Sequence, residues 1–195
     1  MRSLTVTVVI VVLGLILLMS GCNNYNKFVD MEENVENAWG KVQSAYQRRA
    51  DLIPNLVNTV KGAAAHERET LEAVVNARAK ATSITVDPSK STPEQMKAFQ
   101  EAQSGLSQSL GKLLLITENY PQLQANSNFK ELQVQLEGTE NRIKVERDRY
   151  NDEVTAYNKK VRKFPASFFA SIFGFGDKTQ FEAQEGSENA PQVEF

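Results

Sequence analysis

The sequence predicts an all-α, membrane-anchored protein whose soluble part is an up-and-down antiparallel four-helix bundle of long helices. Three observations carry the prediction. The chain opens on an apolar leader, apolar residues recur every three to four positions from Phe28 to Phe164, and no sustained period-two alternation or Asn-Gly or Asp-Gly hairpin turn occurs.

The leader is residues 1–22. Arg2 precedes the apolar residues Leu4–Met19, and the run ends in Ser20-Gly21-Cys22. A spanning helix needs ~20 apolar residues, whereas the apolar region of a signal peptide runs ~7–15. The sixteen residues from Leu4 to Met19 fall between these lengths. The segment is therefore either a transmembrane helix or a lipoprotein signal peptide, and both tether the rest of the chain to a membrane. Its basic residues slightly favour the start of the chain as the cytoplasmic side. The small residues before Cys22 resemble a bacterial lipobox, with Met19 where Leu is usual. That ending tips the reading toward a lipoprotein acylated at Cys22; in the alternative, Cys22 is an interfacial free thiol.

Residues 25–164 read as the bundle. In its first helix Phe28, Met31, Val35, Ala38, Trp39, Val42, Ala45 and Tyr46 share one face. Arg48-Arg49 and Pro54 predict a break near Ala50, with Asp51 capping the next helix; a kinked continuous helix is the alternative. The second helix carries Ile53, Leu56, Val57, Val60, Ala64, Leu71, Val74 and Ala81, and stops in SITVDPSKSTP. Thr92, Pro93 and Gln95 then supply an N-cap, a proline in the first turn and a capping-box partner. The third helix runs through Met96, Phe99, Leu106, Leu110, Leu113, Leu114 and Tyr120 to Pro121. Asn128 and Glu131 give a second capping-box signal for the fourth. There Phe129, Leu136, Ile143, Tyr150, Tyr157 and Phe164 recur every seven residues, a repeat that aligns packed helices along their length. Leu132, Val154 and Val161 widen this seam, while Thr139 and Glu146 make its middle less apolar.

The chain then changes character. Residues 165–176 are rich in phenylalanine, with Phe168, Phe169, Phe173 and Phe175. Phe168, Ile172 and Phe175 are expected to line one face of a short helix that Gly174 and Gly176 terminate. This segment either folds back over the bundle end or meets a membrane interface or another protein. Residues 177–195 are acidic and poor in apolar groups, which predicts a disordered tail.

Composition excludes much. The net charge is -2 with scattered basic residues, which argues against nucleic acid as a partner. One cysteine rules out an internal disulfide and any multi-thiolate metal site. His66 is the single histidine: His-Glu-Arg-Glu-Thr lacks the second histidine zinc needs, and Ala63 stands where a di-iron Glu-x-x-His motif places its glutamate. No phosphate loop, nucleophile elbow or other catalytic constellation occurs, so neither an enzyme nor a cofactor is expected. The informative polar residues lie inside the bundle. Thr139, Glu140, Arg142, Glu146 and Arg147 interrupt the fourth seam, and Glu67 and Arg78 lie on or near the inward face of the second helix. Buried charge is costly unless paired, so Glu67, Arg78, Glu140, Arg142, Glu146 and Arg147 are expected to form an inter-helix ion-pair network that sets register. The alternative is a polar groove for a ligand or partner. Arg48, Arg49 and Asp51 are read as capping and salt-bridging residues.

Tyr25-Asn26, Ala38-Trp39, the run YQRRADLIPNLVNTVKGAAAHE (Tyr46 to Glu67), VVNARAKA and QLEGTENRI (Gln135 to Ile143) together resemble the LemA family. Later Tyr-Asn, Phe-Pro and Gly-Phe elements extend the resemblance from Tyr25 to about Phe175. The resemblance implies a helical bundle behind an N-terminal membrane segment and no established biochemical activity. It also implies an extracellular amino terminus, which conflicts with a cleaved leader; the Ser-Gly-Cys ending resembles the subset of members that carry a lipobox. The expectation is a bacterial cell-envelope module that binds or scaffolds an unidentified protein partner, with the Phe-rich segment as its contact. The alternative is a ligand-binding component of an envelope sensing system.

Overall fold

A computed structural model of the chain describes residues 2–64 and 66–182, and over these the protein is all-helical, without a strand. The first element, α1, is one helix from Arg2–Ala63, about 90 Å long at 1.5 Å per residue. It runs through Pro54 without the break expected near Ala50. A proline inside a helix has no N–H, which leaves the carbonyl four residues earlier without a donor. That carbonyl belongs to Ala50, and Arg78 Nε from the next helix donates to it at 2.8 Å. The orphan acceptor is satisfied from outside, and α1 continues. Asp51 accordingly lies mid-helix, accepting from Gln47 Nε2 at 2.7 Å rather than capping anything.

The chain reverses later than expected, near His66, which is an exposed turn residue. Ala64 and Leu71 are seven positions apart, so a turn between them leaves the apolar rhythm in phase and conceals itself. The second helix, α2 (Arg68–Ser83), leads into the proline loop and then α3 (Pro93–Thr117). The expected capping box is present: Thr92 Oγ1 accepts from the Gln95 N–H, and Gln95 Oε1 from the Thr92 N–H. α3 stops at Thr117, short of Tyr120, and Pro121 opens a short helix, α4 (Pro121–Ala125).

The last long helix, α5 (Ser127–Arg162), is capped by Asn126, whose side chain accepts from the Asn128 and Phe129 N–H groups. Asn128 and Glu131 are thus inside the first turns, and the second capping-box expectation is one motif out of place. α5 lies antiparallel along α1, since Lys160 Nζ donates to Asn24 Oδ1 and Arg48 Nη2 to Gln135 Oε1 at the other end. Phe129, Leu136, Ile143, Tyr150 and Tyr157 are buried as the seven-residue repeat demands. Phe164 is not: α5 ends at Arg162, and Phe164 is 88% exposed. α2 pairs with α3, and α2 packs on α1.

The core divides into two apolar clusters. The lower gathers Phe28, Val42, Trp39, Phe99 and Tyr150; the upper gathers Leu56, Val74, Leu113, Phe129 and Leu136. Below the lower cluster, α6 (Ala166–Phe173) folds back onto α1 and α5. Gly174 ends it with φ of 79°, a left-handed cap that a side chain would strain. Contrary to the expected disorder, residues 177–182 are placed: Lys178 and Phe181 are buried against the bundle. Residues 183–195 of the expected acidic tail lie outside the described residues.

Candidate functional site

A polar waist formed by Arg49, Gln103, Ser107 and Glu140 lies between the two apolar clusters. Its hub is Arg49, 1% exposed. Nη1 donates to Ser107 Oγ at 2.6 Å and Glu140 Oε1 at 2.7 Å; Nη2 donates to Gln103 Oε1 at 2.5 Å and to the Gln103 carbonyl at 3.3 Å. Gln103 passes the chain of bonds on, with Nε2 donating to the Ala81 carbonyl. The guanidinium also lies 5.2 Å from the centre of the Tyr46 ring. Burial pushes the Tyr46 hydroxyl up, and the positive charges of Arg147 and Arg49 oppose that shift. One side chain from α1 thereby fixes α3, α5 and the end of α2 in a single register. This hub sits at the Arg48-Arg49 pair that the sequence marked as a helix junction.

Of the six residues expected to form one inter-helix network, only Glu140 joins this hub. Arg142 and Arg149 both hold Glu146, at 2.7 and 3.0 Å, from its own helix. Glu146 is fully buried, and its Oε2 has no partner among the described residues. Arg147 lies over the Phe181 ring and reaches the Glu182 carbonyl. Arg78 serves the Ala50 carbonyl, and Glu67 accepts from the Tyr120 hydroxyl at 2.7 Å. The expected network is therefore several local solutions. Helical spacing placed these side chains near the right faces but could not say which neighbour each would meet.

The second candidate surface is the end of the bundle nearest the leader. On α1 the side chains from Leu4 through Ile16 that flank the helix are mostly exposed and apolar, as is Met19. This stretch is long and apolar enough to cross a membrane, a property it shares with signal sequences. Directly beyond it α6 covers Gly21: a Cβ there would stand 3.3 Å from a Phe169 ring carbon, so the close approach requires glycine or a shift of that ring. Tyr25 meets Phe173 edge-on at 5.2 Å, and Phe28 meets Phe175 at 5.0 Å. Among the four expected contact residues, Phe169 is buried and Phe175 half-buried, while Phe168 and Phe173 are exposed. The outward face of α6 is Phe168 and Ile172, 59% and 61% exposed, with Phe164 beside them. Phe175 is turned inward and leaves the face assigned to it. Exposed Lys27, Lys159 and Lys163 lie at the same end, and Cys22 is an exposed free thiol one residue beyond Gly21.

Sequence reading missed the side chains that grip the tail. Asn151, Asn158 and Gln100 bond residues 178–182, and Lys178 and Phe181 are the buried anchors. Their one available signal was a lone Lys-x-x-Phe in a polar stretch.

A family model described as the LemA family matches residues 38–195. Magnetosome protein MamQ 1 and Magnetosome protein MamQ 2 of Paramagnetospirillum magneticum are each 27% identical, over 84% of this chain and 66% of their own length. The chain thus spans just under two thirds of these relatives. Protein LemA of Metamycoplasma hominis is 25% identical, over 82% of this chain and 69% of its own length.

Proposed function

The chain belongs to the LemA family, and on that footing we propose that it is a membrane-tethered, four-helix binding or scaffolding module of the bacterial cell envelope. The observation that carries this reading is the exposed apolar face of α6, which stands at the level of Cys22. Phe169 lies against residue 21 and Phe173 against Tyr25, on either side of Cys22, so Phe168 and Ile172 face outward where the anchor leaves the bundle. Exposed apolar patches of this kind mark interaction sites. Acyl chains at Cys22 hold this face against the membrane, so Phe168 and Ile172 sit at the headgroup level. Lys27, Lys159 and Lys163 around them suit anionic headgroups. Attachment follows the lipobox: Cys22 is the acylated residue, it stands at the same level as α6, and the bundle lies outside the cytoplasm.

Such seating holds α1 away from the surface and carries the α1–α2 turn near His66 about 60 Å beyond Gly21. Leu115 and Val134 expose apolar side chains toward that far end. The far end is the face offered to a protein partner. The magnetosome names belong to the relatives and specify no partner for this chain. The alternative, a sensor holding a small molecule in the polar seam, has less support because Arg49 is buried and both its terminal nitrogens are taken by Glu140, Gln103 and Ser107.

Two measurements test the proposal. The mass of the mature amino terminus is expected to be that of acylated Cys22; an intact Met1 or Arg2 overturns the lipoprotein attachment. A photo-crosslinking residue at Leu115 is expected to give one discrete protein adduct in cells, whereas one at Ile172 gives lipid adducts. Lipid adducts alone from both positions, with no protein adduct, would contradict the scaffold.

A further inference from the structure

Residues 177–182 lie in a groove between α3 and α5, extended and without secondary structure. The bonds that hold their backbone come from side chains. Asn158 donates to the Lys178 carbonyl at 2.9 Å and accepts from its N–H at 2.8 Å. Asn151 does the same for Phe181, at 3.1 and 2.9 Å, and Gln100 for Glu182, at 3.0 and 3.3 Å. A side-chain amide carries both a donor and an acceptor, so each of these three substitutes for a neighbouring strand and grips a backbone whatever its side chains. The Tyr150 hydroxyl adds a bond to the Thr179 carbonyl.

Two pockets then read side chains. Phe181 is 5% exposed, ringed by Trp39, Phe99 and Tyr150, with Arg147 4.6 Å from the ring centre. Lys178 is 8% exposed; its ammonium pairs with Glu32 and lies 5.2 Å from the centre of the Tyr157 ring. Three backbone clasps and two selective pockets are how a protein holds a peptide ligand.

We propose that this groove is a peptide-binding site for an extended Lys-x-x-Phe segment, that residues 177–182 are its resident occupant, and that the tail of a second copy of this chain takes the site in exchange. The matching segment is the chain's own. Tethering copies to one membrane raises their effective concentration, which favours exchange between neighbours. The groove argument is independent of how the chain is anchored.

The probe is a fluorescent peptide of residues 175–184, added to detergent-solubilised protein. One variant keeps the tail but loses its anchors (Lys178→Ala with Phe181→Ala), and a second stops after Gly176. Both variants are expected to bind the peptide about tenfold or more tightly than the unaltered chain does, since burying a phenylalanine is worth at least that factor. A peptide carrying Phe181→Ala is expected to lose a similar factor. Finally, the variant ending at Gly176 has a groove without a tail. Mixed with a full-length Gln100→Ala/Asn151→Ala/Asn158→Ala chain, which has a tail without clasps, it is expected to form a one-to-one complex by light scattering. Cooperatively melting variants that bind the peptide no better than a scrambled one would overturn the site. Failure of both tail variants to fold would overturn exchange, because a segment the fold requires is no ligand. Peptide binding without the mixed complex would overturn the second copy as occupant.

Discussion

Arg49 and Arg78 place two guanidinium groups inside the molecule for different reasons, and the difference is measurable. Arg49 neutralises Glu140 and satisfies Gln103 and Ser107. Removing a buried charge leaves its partners unpaired, so Arg49→Ala is expected to cost ~3 kcal/mol or more in denaturant unfolding. Glu140→Gln is expected to cost ~1 kcal/mol, because Glu140 is 41% exposed and water replaces what is lost. Arg78 repairs the gap left by Pro54. Arg78→Ala alone should destabilise by ~1–2 kcal/mol, and markedly less in a Pro54→Ala background, where residue 54 regains its own N–H for the Ala50 carbonyl. Additive losses would refute the repair. Burial pushes the Tyr150 and Tyr157 hydroxyls up to about 12. In the unfolded chain both titrate near the ordinary value of ~10. Their contribution to stability is therefore intact below pH 10 and lost as pH rises through 12, where the unfolded state ionises first. A melting temperature falling over that window checks it. Tyr157→Phe should flatten the fall at little cost, since its hydroxyl has no partner among the described residues.

At the scale of elements, much was legible because helices announce themselves by periodicity and caps. The Thr92–Gln95 capping box and the burial of Phe129 through Tyr157 came out as the residue types demand. The misplaced boundaries share a cause: local signals do not reveal tertiary repair or in-phase turns. Pro54 reads as a break until Arg78 is seen donating to the Ala50 carbonyl, and the turn at His66 hides between Ala64 and Leu71. Asn128 with Glu131 matches the capping-box pattern, yet the fold caps α5 two residues earlier, at Asn126. Asn126→Ala should therefore cost ~1 kcal/mol, while Asn128→Ala should stay within about 0.5 kcal/mol; the reverse order would return the cap to Asn128. Phe164 completes the seven-residue repeat in sequence but falls past the end of α5, so the period outruns the helix.

At the scale of the whole molecule, the sequence marked the apolar segments more readily than the way they pack. The leader and the phenylalanines of residues 165–176 were visible as apolar runs, yet nothing in them told that α6 would dock at Gly21 with Phe169 inward and Phe168 and Ile172 outward. Lys178 and Phe181 were lost in an acidic tail because a six-residue segment held by side-chain amides has no periodicity of its own. The central claim is that the outward face of α6 rests in the membrane interface while the far end of the bundle stands clear. The direct measurement uses the full chain in proteoliposomes, in a Trp39→Phe background that carries Ile172→Trp or, separately, Leu115→Trp. Brominated lipids are predicted to quench the tryptophan fluorescence from position 172 and to leave that from position 115 unchanged. Equal, weak quenching at both positions, with equal access to aqueous iodide, would contradict the account.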